Sequence, residues 1–413
     1  MAANPRQNVL DAIDHKKPDR VPIDFGGHRS SGIMAIAYRK LREHLSLPAK
    51  PIRVYDVVQQ LAVIDEDVLD RFGVDTVELG RGFAQKESHW KPWRLPDGGD
   101  CLIPAWVDLR QDGDDWLLHN ASGTPVGVQK AGMLYFDSIR WPYMEGVPED
   151  LSHLAEAMAE SQWATPSPPG PDESDSEPLA ADAKKLRKST DRAIVGLFGG
   201  NLMEWGQFLC RNDNFLMMLA GATTEAERLL DALVELHLAW LEKYLGAVGD
   251  HIDVICFGDD LGMQSGPQIS PSMYRRLFKP RHEAMWRRAK ELSDVKVMLH
   301  CCGGVRPLIT DLIEAGLDAI NPVQTSCAGM DPRSLKADFG RDICLWGGGC
   351  DTQQVLPQAK PDEVRTHVLE RLETLAPGGG FVFQQVHNIM ADVPPPNIVA
   401  MFDAVSEFNG PQH

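Results

Sequence analysis

Eight short apolar runs, each ending at a glycine or polar residue, recur along the chain with helix-like or charged segments between them. They are Val21–Phe25, Thr76–Leu79, Ala193–Phe198, Asp253–Phe257, Val295–Leu299, Ala319–Ile320, Asp342–Trp346 and Phe381–Val386. Helical periodicity covers Ile33–His44, Gln59–Phe72, Phe208–Val248, Pro271–Leu292, Val305–Ala315, Pro332–Phe339, Pro361–Leu375 and Pro396–Glu407. Proline or Asp-Pro opens several of these, as a first helical turn favours. A strand that reads as a continuous apolar run is buried on both faces. Eight such strands alternating with helices predict a parallel sheet rolled into a (β/α)8 TIM barrel. A doubly wound open sheet is the second architecture this alternation permits.

The 413 residues suffice for one barrel domain, 1–413, carrying an insertion over 84–185. Residues 84–145 hold half of the 10 tryptophans, with Asp-Gly pairs at 97–98 and 112–113 and apolar stretches such as Trp116-Leu117-Leu118. That pattern predicts antiparallel hairpins after the second strand. Their tryptophans suit the rim of the barrel mouth, a satellite core or a homodimer contact. Ala164–Ala183, rich in proline, serine and acids, reads as a mobile surface loop.

The net charge is −18, so phosphate backbones and anionic membrane surfaces are repelled, and nucleic acid is not an expected partner. No apolar run approaches the ~18 residues of a membrane span. The polar first twenty residues offer no secretory h-region, and 8 cysteines are too sparse for a disulfide scaffold. A cytoplasmic protein with reduced thiols is expected.

In such a barrel the active site is built where the strands end. The residues that follow the runs are polar and soft: His28, Arg29, Glu78, Asn201, Glu204, Asp259, Asp260, His300, Cys302, Gln324, Cys350, Asp351 and His387. Alternate residues leaving a strand point to one side, so His300-x-Cys302 pairs an imidazole with a thiolate, a set suited to zinc. Cys350 or His387 supplies the third ligand, and three protein ligands leave zinc an open position. An isolated H-x-C can equally be a packed cysteine beside a hydrogen-bonded histidine. Cys301 and the remaining cysteines read as packing residues. Of the adjacent Asp259 and Asp260, at least one faces the cavity to orient a ligand or exchange a proton. The alternative is helix capping by Asp260 or Ser270.

HKKPDRVPIDF near the N-terminus, GDDLGMQSGPQISPSMYRRLFKP, HCCGGVRPLITDLIEAGLDAINPVQ, WGGGCDTQQVLP and HNIMADVPPPNIVAMF together resemble the uroporphyrinogen decarboxylase superfamily, whose members are (β/α)8 barrels. The resemblance covers both ends of the chain and nearly all of 190–407. The decarboxylases carry an M-R-Q-A-G-R-Y motif after the first strand, where this chain reads FGGHRSSGI with the single Arg29. The chain is closer to the cobalamin-dependent methyltransferases, in which an H-x-C and a late cysteine hold zinc. Where that late cysteine is expected, ahead of a P-x-x-N-like segment, this chain has His387 before Pro394-Pro395-Pro396-Asn397.

The resemblance implies a zinc-dependent methyltransferase or demethylase moving a methyl group between a small substrate or thiol and a corrinoid. No D-x-H-x-x-G run occurs, so cobalamin is expected free or on a separate corrinoid protein. The expected roles are catalysis by Asp259, Asp260 and His387, and substrate contacts from His28, Arg29, Asn201, Glu204, Gln324 and Asp351. Two alternatives are a metal-free decarboxylase of a porphyrinogen-like carboxylate and a barrel that binds a tetrapyrrole without turnover.

Overall fold

The computed structural model describes residues 4–79, 87–161, 173–221 and 223–410. Seven of the apolar runs become parallel strands: β1 (Thr76–Leu79), β2 (Ala193–Gly199), β3 (Val254–Gly258), β4 (Lys296–His300), β5 (Ala319–Asn321), β6 (Cys344–Trp346) and β7 (Phe381–Val382). Each pairs with its successor in chain order, and the register sets Gly258 beside His300 and His300 beside Asn321. The remaining run, 21–25, closes the ring between β7 and β1. Ile23 bridges Phe383 in parallel, while the Asp75 amide donates to the Ile23 carbonyl at 2.8 Å. Sequential order with joined edges is a TIM-barrel-like fold and excludes the doubly wound open sheet.

Inside the ring, Ala193, Val195, Val254, Cys256, Met298, Ala319, Cys344, Trp346 and Val382 form one buried cluster. Their spacing by two on β2, β3 and β6 is the strand period. The cluster also takes in Val9, Ala12 and Ile13 from the helix Pro5–Ile13, which plugs the ring at the end where the strands begin. Asn4 caps that helix, accepting from the Gln7 amide at 3.1 Å, and Pro5 opens its first turn. The plug leaves the opposite end, where β4 delivers His300, for chemistry.

Several predicted helices are shorter or divided. The expected helix Gln59–Phe72 is only Glu66–Arg71, because the Asp56 carboxylate accepts from the amides of Val58 and Gln59 at 3.0 Å and turns the chain. Leu61–Ala62 then pairs antiparallel with Ile52–Asp56. The segment 208–248 breaks at Arg211, which adopts φ 71°. The segment 271–292 divides at Phe278, with Pro280 opening the second helix, Lys279–Leu292.

The segment between β1 and β2, together with two strands that precede β1, builds two small sheets. One joins Trp90–Arg94, Asp100–Pro104, Ile52–Asp56 and Leu61–Ala62; the other is an antiparallel meander of Asp108–Asp112, Asp115–His119, Pro125–Gln129 and Asp137–Ser138. Trp93 and Trp116 meet edge to face across them with ring centroids 6.1 Å apart, and Trp90 is buried. These three tryptophans are packing residues. The chain around the meander's last strand is tied to the rest of the molecule: the Phe136 amide donates to the Val58 carbonyl at 3.2 Å, and the Tyr143 amide to the carbonyl of Leu209, in the helix Met203–Cys210, at 2.7 Å. Of the stretch expected as a mobile loop, residues 164–172 lie outside the described residues. Residues 173–183 belong to the helix Glu173–Ser189, which contains Pro178.

Candidate metal centre

His300 is the last residue of β4, and its register partners Gly258 and Asn321 hold the strand end on both sides. The chain then turns sharply. The Cys302 amide donates to Asp260 Oδ1 at 2.7 Å, which folds Cys302 back until its Sγ lies 3.4 Å from His300 Nε2. Gly303, at φ 91°, makes this turn possible, because a Cβ there would lie 2.3 Å from the Gly262 carbonyl carbon.

His387 reaches the same point from the loop after β7. It adopts φ 64°, a left-handed conformation that histidine enters more readily than most side chains. Its ring centroid is 5.5 Å from that of His300. Ligand atoms of His300, Cys302 and His387 all lie within 4.8 Å of one another, the one such group of three metal-ligating side chains among the described residues.

The electrostatics suit a cation. Burial, then His300 and His28, depress His387 to about 3, and burial lowers His300 as well. Both imidazoles are therefore neutral at pH 7, with lone pairs to offer. Burial, then Asp260, raises the Cys302 thiol well above its ordinary value, an effect a bound metal ion would reverse. Two imidazole nitrogens and one sulfur fit zinc with one position left open.

The structure separates the other candidates. Cys350 is fully buried, with its Sγ directed at the Asp351 carbonyl at 3.8 Å, and stands outside the group. Asp259 is also fully buried. Its Oδ1 accepts from the amides of Leu202, Met203 and Glu204 at 3.2, 2.8 and 3.3 Å, and its Oδ2 meets His282 Nε2 at 3.1 Å. Asp259 thus caps the helix Met203–Cys210, the role sequence reading offered for Asp260 or Ser270. Ser270 does cap Pro271–Leu277, accepting from the Met273 amide at 3.2 Å. Asp260 faces the metal group, with Oδ1 3.8 Å from His300 Nε2 and a side chain 33% exposed.

Glu204 stands near Asp260, and burial, then Asp260 and Asp259, push its carboxyl well above the usual range; Asn201 Nδ2 donates to it. Gln324 Oε1 accepts from the Gly303 amide at 2.9 Å, beside Cys302. Asp351 instead turns its own loop, accepting from the amides of Gln353 and Gln354 at 2.9 and 2.6 Å. His28 is 1% exposed, with Nε2 3.2 Å from both Gln384 Oε1 and Asp24 Oδ2, which puts it beneath the mouth. Arg29 is half-buried, and its charge reaches Tyr55. Sequence reasoning missed Ser30, whose Oγ lies 3.2 Å from His300 Nε2, and Asn321, whose Oδ1 lies 2.9 Å from His300 Nδ1. Asn321 was within reach, as the polar residue that ends an apolar strand.

The model of the family described as uroporphyrinogen decarboxylase (URO-D) matches residues 177–408, more than half of the chain. The chain belongs to the uroporphyrinogen decarboxylase family. Within this family, uroporphyrinogen decarboxylase of Psychromonas ingrahamii is 33% identical over 102 residues, 25% of this chain and 27% of that one. The match thus spans about a quarter of that relative's length. Among solved structures, a methyltransferase from Methanosarcina mazei matches over 98% of this chain and 99% of its own, at 17% identity and a TM-score of 0.59. That likeness is one of fold. A B12-independent methionine synthase from Shewanella sp. W3-18-1 covers 93% and 98% at 12% identity, with a TM-score of 0.41.

Proposed function

We propose that this chain is a zinc-dependent methyltransferase that moves a methyl group between a small methylated substrate or thiol and a corrinoid. The observation that carries the reading is the convergence of His300, Cys302 and His387 at the ends of β4 and β7. These three residues would hold zinc, which when bound would supply a Lewis acid to lower the pKa of a thiol acceptor or polarise the heteroatom of a methyl donor. Asp260, partly exposed and 3.8 Å from His300 Nε2, is placed to take the proton that such a thiol releases. Glu204 stands behind it, its carboxyl raised by burial and then by Asp260 and Asp259. Gln324 and Arg29 are the substrate contacts of this reading. The fold shared with the Methanosarcina methyltransferase supports it.

A porphyrinogen presents carboxylates, yet Glu204 and Asp260 stand at this mouth and only Arg29 takes the place of the arginine-rich motif. The second reading, a metal-free decarboxylase, is favoured by the 102-residue match to a uroporphyrinogen decarboxylase. Purified protein mixed with cob(I)alamin and methoxylated, methylated-nitrogen or methylated-sulfur donors, with and without a corrinoid protein, separates the two. Methylcobalamin absorbance is expected with one donor class. Its absence with all of them, together with decarboxylation by metal-free protein, favours the second reading.

A further inference from the structure

Two backbone carbonyls decide which nitrogen of His300 carries the proton. A carbonyl oxygen only accepts, so the Asn321 atom 3.0 Å from the Trp346 carbonyl is the donor Nδ2. Oδ1 is then the atom 2.9 Å from His300 Nδ1. The same logic fixes Gln384. Its Nε2 donates to the Ser30 carbonyl at 2.9 Å, which leaves Oε1 to accept from Asn321 Nδ2 at 2.7 Å. Both carboxamides are fully buried, so water offers no alternative partner.

An acceptor at Nδ1 requires the proton to sit on Nδ1. The lone pair then lies on Nε2, the atom facing Ser30 Oγ at 3.2 Å and Cys302 Sγ at 3.4 Å. The group that would favour the opposite tautomer is the Asp260 carboxylate. At 3.8 Å from Nε2 it is outside hydrogen-bond reach. We infer that Asn321, backed by Gln384, is a positioning residue that holds His300 as the Nδ1–H tautomer and reserves Nε2 for the metal. The inference rests on the zinc reading only for its last clause; the tautomer is a property of the chain itself.

Nitrogen-15 NMR of the His300 ring in metal-free, histidine-labelled protein reads the tautomer directly, and zinc affinity follows from competition with a chromophoric chelator. The wild-type ring is expected with a protonated Nδ1. Asn321→Leu removes the acceptor and is expected to move the proton toward Nε2 and weaken zinc binding ~10–100-fold. Asn321→Asp keeps the acceptor toward Nδ1 but sets an oxygen against the Trp346 carbonyl and Gln384 Oε1; it is expected to lose stability, while its folded form retains the tautomer and most of the affinity. A merely structural Asn321 would make the two variants lose affinity alike with the tautomer unmoved. A wild-type ring protonated at Nε2, or an Asn321→Leu protein unchanged in tautomer and affinity, overturns the inference. Should Asn321→Leu fail to fold, the wild-type spectrum and Asn321→Asp still decide. A protonated Nδ1 in a protein that binds no zinc contradicts the zinc reading and leaves the tautomer assignment standing.

Discussion

Asp260 accepts the Cys302 amide at 2.7 Å through the same oxygen that lies 3.8 Å from His300 Nε2, so one carboxylate both shapes the H-x-C turn and faces its ligands. Asn can accept that amide equally well but carries no charge. Asp260→Asn is therefore expected to keep its zinc while turnover falls ~10–100-fold. Metal analysis and steady-state rates on one preparation check this, and unchanged turnover would reduce Asp260 to a turn residue.

Its neighbour should behave differently. Asp259→Ala leaves three helix-terminal amides and His282 without their buried acceptor. A loss of about 2–4 kcal/mol in urea denaturation is expected, with zinc per folded chain unchanged. Wild-type stability with lost activity would return Asp259 to the catalytic role suggested by sequence.

That contrast shows where the sequence stops being informative. The strands were legible because each is a local apolar run, and so was the placement of His300 and Cys302 at a strand end. Which of two adjacent acids caps a helix depends on amides more than fifty positions away, at 202–204, and no local pattern encodes that. Cys350 and His387 both follow apolar runs. Only the closed ring brings His387 to His300 and buries Cys350. The break at Phe278 had a local mark in Pro280, which opens the second helix, whereas the apolar periodicity runs on across the left-handed Arg211 and hides that break.

The ligand assignment has its own test. Cys302→Ala and His387→Ala are each expected to lose most of their zinc, whereas Cys350→Ala keeps it and loses roughly 1–2 kcal/mol of stability from a small buried void. Loss of zinc in the Cys350 variant with retention in the His387 variant would reverse the assignment.

His237 makes acid stability predictable. Burial depresses it to about 4 from 6.5, and its Nε2 donates to the Asn201 carbonyl at 3.1 Å. Between these values the unfolded chain binds the proton and the folded one does not, so this group's effect on stability rises with pH through that window and turns unfavourable as pH falls. From pH 7 to pH 5 wild-type protein is expected to lose about 2 kcal/mol more than His237→Gln. Parallel urea titrations at the two pH values check the difference, and equal losses would contradict it.

The most direct test of the account is the zinc content of wild-type protein expressed with zinc supplied and gel-filtered free of unbound metal. The account predicts about one zinc per chain, in keeping with the single group His300, Cys302 and His387 among the described residues. Folded protein that carries almost none, and takes up none when titrated with it, would contradict it.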